Sequence, residues 1–199
     1  LYLLARHDAG WQGTDFYIRR PGEKWEEQGL LVTREPQHVG YGAFAGGMAV
    51  GPEGVLHYVT DFYEGIGIQD QRGLKQAVAT MRSYDNGCSW QRADGTPVPI
   101  PARPEDMDVL ELYRSKRPHE PMPIVLGHGC IGLDSLGTPH VFYISHIREA
   151  GEMILASPDA AGTWHRRAID PAVTGFPGHR PKGECRGRFV LTADDRMHL

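Results

Sequence analysis

The stretch SYDNGCSW at residues 83–90 is the part of the sequence that predicts the fold most directly. It matches the pattern S-x-D-x-G-x-[ST]-W at every defined position. In a tight turn, Asp85 would accept backbone N–H bonds, Gly87 would supply an unusual φ, and Trp90 would pack the turn onto a sheet. The stretch therefore predicts a structural turn between two β-strands.

Two other stretches carry parts of this pattern. SPDAAGTW (157–164) fits it except that its Gly comes one place late, and IRRPGEKW (18–25) keeps only the Gly and the Trp. Segments that read strand, Gly turn, strand recur along the chain: GMAVGPEGVLHYVT (47–60), CIGLDSLGTPHVFYIS (130–145), RFVLTADDRMHL (188–199) and, for the second half only, LYLLARHD (1–8). Tyr2, His57, His140 and His198 occupy the equivalent position, and this repetition predicts a structural role for the three histidines.

These landmarks define a repeating unit. Tyr2 and His57 are 55 residues apart and His140 and His198 are 58 apart, whereas the 83 residues from His57 to His140 include two insertions. Each unit offers four strand candidates, for example 43–50, 55–62, 74–83 and 88–93. A repeat of four antiparallel strands is a propeller blade. We therefore predict an all-β fold, a β-propeller of four-stranded antiparallel blades.

About three blades fit the sequence, whereas a closed ring has about four to eight. We expect a fragment of a six- or seven-bladed ring. The predicted parts are the end of one blade unit (1–35), a blade (40–97), a rim insertion (98–122), a blade (123–172) and the start of the next blade (185–199). We predict a strand over 72–84, and a short helix over PEDMDVLELY (104–113).

The composition agrees with short strands joined by many turns. The 199 residues include 25 Gly and 15 Pro, with 40% hydrophobic and 23% charged residues. No apolar run reaches the roughly 18 residues that a transmembrane helix needs, so membrane insertion is not expected. The net charge of −4 argues against nucleic-acid binding through bulk charge.

Metal and thiol chemistry are not predicted. The three Cys residues form no C-x-x-C pair, and the sequence has no H-x-x-x-H and no D-x-D-x-D-G loop. We therefore expect no metal site and no cofactor.

The units GVLHYVT and GTPHVFYIS, together with MRSYDNGCSWQRADGTPVPIP around the first turn, resemble the sialidase-like BNR (Asp-box) β-propellers. Within these, they are most similar to the branch that includes propeller-type polysaccharide (ulvan-type) lyases. The resemblance implies a carbohydrate-active enzyme that cleaves glycosidic bonds of an acidic oligo- or polysaccharide. It also implies a secreted or periplasmic protein.

A propeller's binding site commonly lies on the rim formed by the loops from strand 2 to 3 and from strand 4 to the next blade. Both insertions are expected in such loops, within 61–75 and 94–128. By strand position we place nine candidates on this rim. The catalytic candidates are His7, Tyr63, Arg82, His128 and His146, and the substrate-binding candidates are Arg6, Tyr41, Arg186 and Arg188.

These side chains suit β-elimination on a uronate. Arg pairs with a carboxylate and lowers the pKa of the neighbouring C–H, while His or Tyr moves the proton. The resemblance implies a base or acid at His7, His128 or His146 with Tyr63 as a partner, and charge neutralisation by Arg82. One alternative is an exo-sialidase or other glycoside hydrolase that uses Asp61, Tyr63 and Glu64. Another is a non-catalytic glycan- or protein-binding propeller.

Overall fold

The computed structural model describes residues 1–7, 13–33, 46–64, 74–112, 124–125, 131–145, 152–170, 190–192 and 194–198. Over these residues the chain forms β-strands and two short 3-10 turns, Pro52–Gly54 and Pro104–Asp106. The strands are β1 (Tyr2–Arg6), β2 (Gly13–Ile18), β3 (Glu26–Thr33), β4 (Gly47–Val50), β5 (Leu56–Glu64), β6 (Leu74–Ser83), β7 (Trp90–Gln91), β8 (Pro97–Val98), β9 (Asp108–Leu112), β10 (Ile124–Val125), β11 (Ile131–Leu133), β12 (Pro139–Ser145), β13 (Glu152–Pro158), β14 (Trp164–Ala168), β15 (Val190–Leu191) and β16 (Met197–His198). The all-β prediction is confirmed. Among the described residues, no helix is long and apolar enough to cross a membrane.

The strands form four antiparallel sheets that follow one another along the chain. Sheet 1 has the order β1-β2-β3. Sheet 2 has the order β4-β5-β6-β7-β8, with β9 also paired to β6. Sheet 3 has the order β10-β12-β13-β14, with β11 also paired to β12, and sheet 4 is the hairpin β15-β16.

Sheet 2 is buried on both faces. Its strand side chains alternate between the two faces, and each set packs against a different neighbour. Tyr58 and Met81 belong to a core cluster shared with Phe16 of sheet 1. Val59 and Val78 belong to a second cluster, which includes residues of sheet 3. Sheet 2 is therefore packed between its two neighbours.

The predicted strand over 72–84 is confirmed as β6. The predicted helix over 104–113 is wrong, because a single 3-10 turn is followed by β9, which pairs with β6. Leu110 of β9 is 3% exposed, whereas Val109 and Leu112 are 38% and 47% exposed. Pairing with β6 and the burial of Leu110 therefore override the helical start signals.

The turn over 83–90 has the predicted geometry. The Asp85 carboxylate accepts the Ser89 backbone N–H at 2.8 Å and the Ser89 hydroxyl at 2.6 Å. Gly87 has a φ of +90°, and a Cβ there would lie 2.3 Å from Phe16 Cε1. The Trp90 indole donates to the Gly87 carbonyl at 3.1 Å and is 3% exposed, so the turn is fixed onto the sheet.

The two weaker matches form different turns. In 157–164 the late Gly162 closes a five-residue turn in which Asp159 N–H donates to Thr163 O and Gly162 N–H donates to Asp159 O. The hairpin turns 51–55, 134–138 and 192–196 show the same two bonds at the same positions. In 18–25, Trp25 is 42% exposed and does not pack as Trp90 does.

These turns share one end of the sheets, which we call the turn end. Tyr2 of sheet 1 donates its hydroxyl hydrogen to Asn86 of sheet 2 at 2.8 Å. Ser135 of sheet 3 donates its backbone N–H and its hydroxyl to the Asp195 carboxylate of sheet 4, both at 2.6 Å. The opposite end, where β1, β5 and β12 finish, is here the loop end.

Residues 92–107 interrupt the outer strand of sheet 2, between β7 and β9. Ala102 of this segment donates its N–H to Leu31 O at 2.9 Å and accepts the Thr33 N–H at 2.8 Å. These bonds place the first part of the predicted rim insertion over 98–122 beside the end of β3 that pairs with Gly13, and its assignment to the rim stays a prediction. Residues 113–123 lie outside the described part of the chain.

Candidate functional site

His7 is placed at the loop end by the hairpin β1–β2. Its backbone N–H donates to the Gly13 carbonyl at 3.0 Å, directly beyond the pair formed by Arg6 and Thr14. Ala5 lies opposite Asp15, two residues before His7. Strand alternation therefore directs His7 and Asp15 to the same face of sheet 1.

The His7 and Asp15 side chains form a close pair. His7 Nδ1 lies 2.9 Å from Asp15 Oδ1 and 3.0 Å from Oδ2. The Asp15 side chain is 10% exposed, and the His7 side chain is 34% exposed. An ionised carboxylate can only accept hydrogen bonds, so Nδ1 carries the hydrogen in this pair and the neutral ring has its lone pair on Nε2. Because Nδ1 is held by Asp15, Nε2 is the atom of this partly exposed side chain that can take a proton from a ligand.

Of the other predicted site residues, Arg6 and Tyr63 also lie at the loop end. Arg6 is exposed, and strand alternation directs it to the face opposite His7. Tyr63 is in the last part of β5, where its backbone pairs with Lys75. His128, His146, Tyr41, Arg186 and Arg188 lie outside the described residues, so their roles stay predictions.

The expectation that Arg82 lies on this rim is wrong. Arg82 pairs with His57 at the start of β5, whereas Tyr63 is six residues further along the same strand. At about 3.3 Å per residue, this separates the two backbones by roughly 20 Å. Arg82 therefore lies at the turn end, where its Nη2 donates to the Ala93 carbonyl at 2.7 Å.

Asp61, one of the acids considered for a hydrolase, is 2% exposed. A side chain at that depth cannot touch a sugar at the surface. The hydrolase alternative thus loses one of its three proposed groups.

The histidines at the repeated position have structural surroundings where the structure describes them. Burial and the positive charge of Arg82 lower the pKa of His57 to about 4, so this imidazole is neutral at physiological pH. His140 Nε2 lies 3.2 Å from Asp134 Oδ2.

A further Asp–His pair was missed by the sequence analysis. Asp159 Oδ2 lies 2.9 Å from His165 Nε2. The sequence did contain a signal, because DSLGTPH (134–140) and DAAGTWH (159–165) share the pattern D-x-x-G-T-x-H. In both, one carboxylate oxygen accepts backbone N–H bonds within the turn and the other lies beside the histidine.

The described residues contain no group of three or more His, Cys, Asp or Glu side chains placed to hold a metal ion.

Comparisons with known proteins identify a shared fold. No protein-family model matches the chain, and no curated protein sequence does. The solved structure of a polysaccharide lyase of a new family, the PL25 ulvan lyase bound to -[GlcA(1-4)Rha3S]-, matches with a TM-score of 0.57 at 14% identity, covering 83% of this chain and 40% of that chain. A second structure of a PL25 ulvan lyase matches with a TM-score of 0.58 at 14% identity, covering 85% and 41%. The chain thus spans about two fifths of these structures and shares with these polysaccharide lyases the fold of that part.

Proposed function

We propose that this chain is part of an Asp-box β-propeller enzyme that cleaves an acidic polysaccharide by β-elimination. The observation that carries the proposal is the His7–Asp15 pair at the loop end of a fold shared with polysaccharide lyases. The carboxylate fixes the imidazole, and Nε2 is left to act as a base.

The propeller architecture is supported by how the sheets follow one another. The sheets are antiparallel, neighbours meet at the same turn end, and sheet 2 is covered on both faces. Radial packing of consecutive small sheets is the arrangement of propeller blades. The matched lyase structures are longer than this chain, which suits a ring with more blades than are present here.

In the proposed reaction His7 Nε2 takes the proton from the carbon next to a uronate carboxylate. The electrons of that C–H bond form a carbon–carbon double bond, and the bond from the adjacent carbon to the glycosidic oxygen breaks. An acid returns a proton to the leaving oxygen. Asp15 acts as a positioning residue, because it holds the Nδ1–H and stabilises the imidazolium that forms.

The remaining roles rest on the sequence analysis. Tyr63, His128 and His146 are candidates for the acid, and Tyr41, Arg186 and Arg188 for substrate binding. Arg6 is exposed at the loop end but is directed to the face opposite His7, so its role in substrate binding also rests on the sequence analysis. The glucuronate in one matched lyase structure supports an acidic sugar as the substrate class.

The test is an assay of the full-length protein on glucuronate-containing polysaccharides, following ultraviolet absorbance of the unsaturated product. We expect His7→Ala to lower the rate about a thousandfold, as loss of a general base does. His165→Ala is the matched control, since His165 also pairs with an aspartate but lies at the turn end. Unchanged activity in His7→Ala, release of sialic acid, or binding without turnover would each overturn the proposal.

A further inference from the structure

A cleft of about 480 Å³ opens at the turn end, between sheets 2 and 3. Glu53, Arg82 and Tyr84 line it from sheet 2, and Leu136 and Asp159 line it from sheet 3. Its volume lies within the range of about 300–1,000 Å³ that is typical of small-ligand sites. The cleft is far from His7, because Arg82 pairs with the start of β5 and the loop end lies roughly 20 Å away.

Arg82 brings a positive charge to the cleft, and no described carboxylate forms an ion pair with it. Its Nη2 donates to the Ala93 carbonyl, but its buried Nε has no hydrogen-bond acceptor among the described residues. Arg20, Arg166 and Arg196 each have a carboxylate within 4.0 Å, whereas none is found for Arg82 in the described part of the chain. The nearby His57 is neutral at physiological pH, since burial and the charge of Arg82 lower its pKa to about 4.

Tyr84 stacks on this charge, with the Arg82 guanidinium over one face of its ring. Its ring centroid lies 5.1 Å from the Arg82 guanidinium carbon, and 57% of the residue is exposed. An aromatic face next to a guanidinium can support a sugar ring whose carboxylate pairs with the arginine.

The two carboxylates of the cleft are suited to hydroxyl groups. Asp159 is already engaged with His165 and with backbone N–H groups of its turn, which together occupy both of its carboxylate oxygens. Glu53 is exposed at the tip of the 51–55 turn. Carboxylate oxygens accept hydrogen bonds from sugar hydroxyls.

A peptide is a poorer fit. Pro52, Pro139 and Pro158 line the cleft, and proline has no backbone N–H to pair with an extended peptide. A ligand that is recognised through its own carboxylate and hydroxyls does not need such donors.

We propose that the turn-end cleft binds one glycuronate residue, with the carboxylate on Arg82, the ring against Tyr84 and hydroxyls on Glu53. This is a second sugar site, separate from the proposed catalytic end of the sheets. It would hold an acidic polysaccharide without cleaving it.

The test uses the full-length protein, with sodium glucuronate as the probe and glucose as its neutral counterpart. NMR titration should shift the signals of Tyr84 and Leu136, and glucuronate should bind at least about tenfold more tightly than glucose. Arg82→Gln should weaken glucuronate binding about tenfold and leave glucose unaffected, and Tyr84→Ala should weaken both.

The matched controls are Arg19→Gln and Trp25→Ala. Arg19 stacks on Trp25 at 5.2 Å, at the turn end of sheet 1, and neither residue lines this cleft. They should leave glucuronate affinity unchanged. If Arg82→Gln does not fold, Arg82→Lys keeps the charge without the planar fork and should bind glucuronate with intermediate affinity.

Three results would overturn the proposal: equal affinity for glucuronate and glucose, unchanged affinity in a folded Arg82 variant, or displacement of glucuronate by tetra-alanine through its carboxylate terminus. Absence of unsaturated product in the polysaccharide assay would refute the proposed lyase activity but would not alter these titrations. The two failures are therefore distinguishable.

Discussion

Aspartate–histidine pairs occur at both ends of the sheets, and they differ in what else the carboxylate does. At the turn end, Asp134 and Asp159 each accept two backbone N–H bonds on Oδ1 and place Oδ2 beside a histidine Nε2. At the loop end, both oxygens of Asp15 lie within 3.0 Å of His7 Nδ1.

The difference separates a structural pair from a catalytic candidate. In the turns, the histidine is an addition to a carboxylate that already stabilises the backbone. At the loop end the carboxylate is 10% exposed and directed at the imidazole, which is the arrangement that controls a histidine's tautomer. We therefore expect changes at the loop end to affect catalysis and changes at the turn end to affect stability.

The largest expected effect is at Asp15. Asp15→Asn should lower kcat about a thousandfold, because the amide no longer stabilises the imidazolium and permits the wrong tautomer. KM and the thermal unfolding midpoint should change little, a split that steady-state kinetics and calorimetry can measure. Asp159→Asn is the control, and an equal loss of kcat in both variants would contradict the distinction between the ends.

At the turn end, Gly87→Ala should be the most destabilising change. The new methyl would lie 2.3 Å from Phe16 Cε1, and the backbone has a φ of +90°. We expect a loss of about 3–4 kcal/mol in denaturant unfolding. Gly22 has a φ of +80°, but no atom lies within 4 Å of where a Cβ would be. Gly22→Ala should therefore lower the free energy of unfolding by only about 1 kcal/mol.

His57 should make stability depend on pH. Above pH 6.5 its imidazole is neutral in both the folded and the unfolded chain, so it contributes nothing there. As the pH falls from 6.5 towards 4, only the unfolded chain takes up the proton, and stability falls by about 3 kcal/mol from this group. Urea unfolding between pH 7 and 4 should therefore show a smaller loss in His57→Gln than in the original protein, and parallel pH curves would refute the prediction.

Apart from the control substitutions, the smallest effect is expected at Asp134. Asp134→Ala removes the acceptor for the Leu136 and Thr138 N–H groups and should cost about 1–2 kcal/mol. Burial alone would raise the pKa of Asp134, but hydrogen bonds from Thr138, His140 and Leu136 outweigh it and lower that pKa. The stability that the Asp134 carboxylate contributes should thus be present above its pKa in the unfolded chain. It should be lost as the pH falls through the lower pKa of the folded chain. Unfolding at pH 7 and at pH 3 would measure this, and turnover at pH 7 should be unchanged.

The turns were the predictable part of the molecule because the hydrogen bonds within each turn are local. All hydrogen bonds of the Asp85 carboxylate join residues no more than four apart, so an eight-residue pattern contains them. A Gly that moves by one position gives the five-residue turn at 159–163 instead, and the same turn closes the hairpins.

The loop end was harder to predict. His7 and Asp15 are eight residues apart, and Asp15 sits inside the strand GTDFYI with no motif around it. The sequence pattern predicted Arg82 at the loop end because it does not give the strand register. The register pairs Arg82 with His57 at the start of β5. Strand existence follows from local patterns, whereas the end at which a side chain lies depends on pairing between distant residues.

Ala102 covers part of the outer edge of sheet 1, which bears on self-association of this protein in concentrated solution. The outer strand of a sheet exposes unpaired N–H and C=O groups that can recruit a strand from another molecule. Ala102 already bonds Leu31 O and Thr33 N–H on β3. The other half of that strand begins with the exposed charged residues Glu26, which pairs with Arg20, and Glu27, and charged side chains on an edge strand disfavour pairing with a second copy. Pairing with Ala102 therefore leaves less of this edge of sheet 1 open to a strand from another molecule.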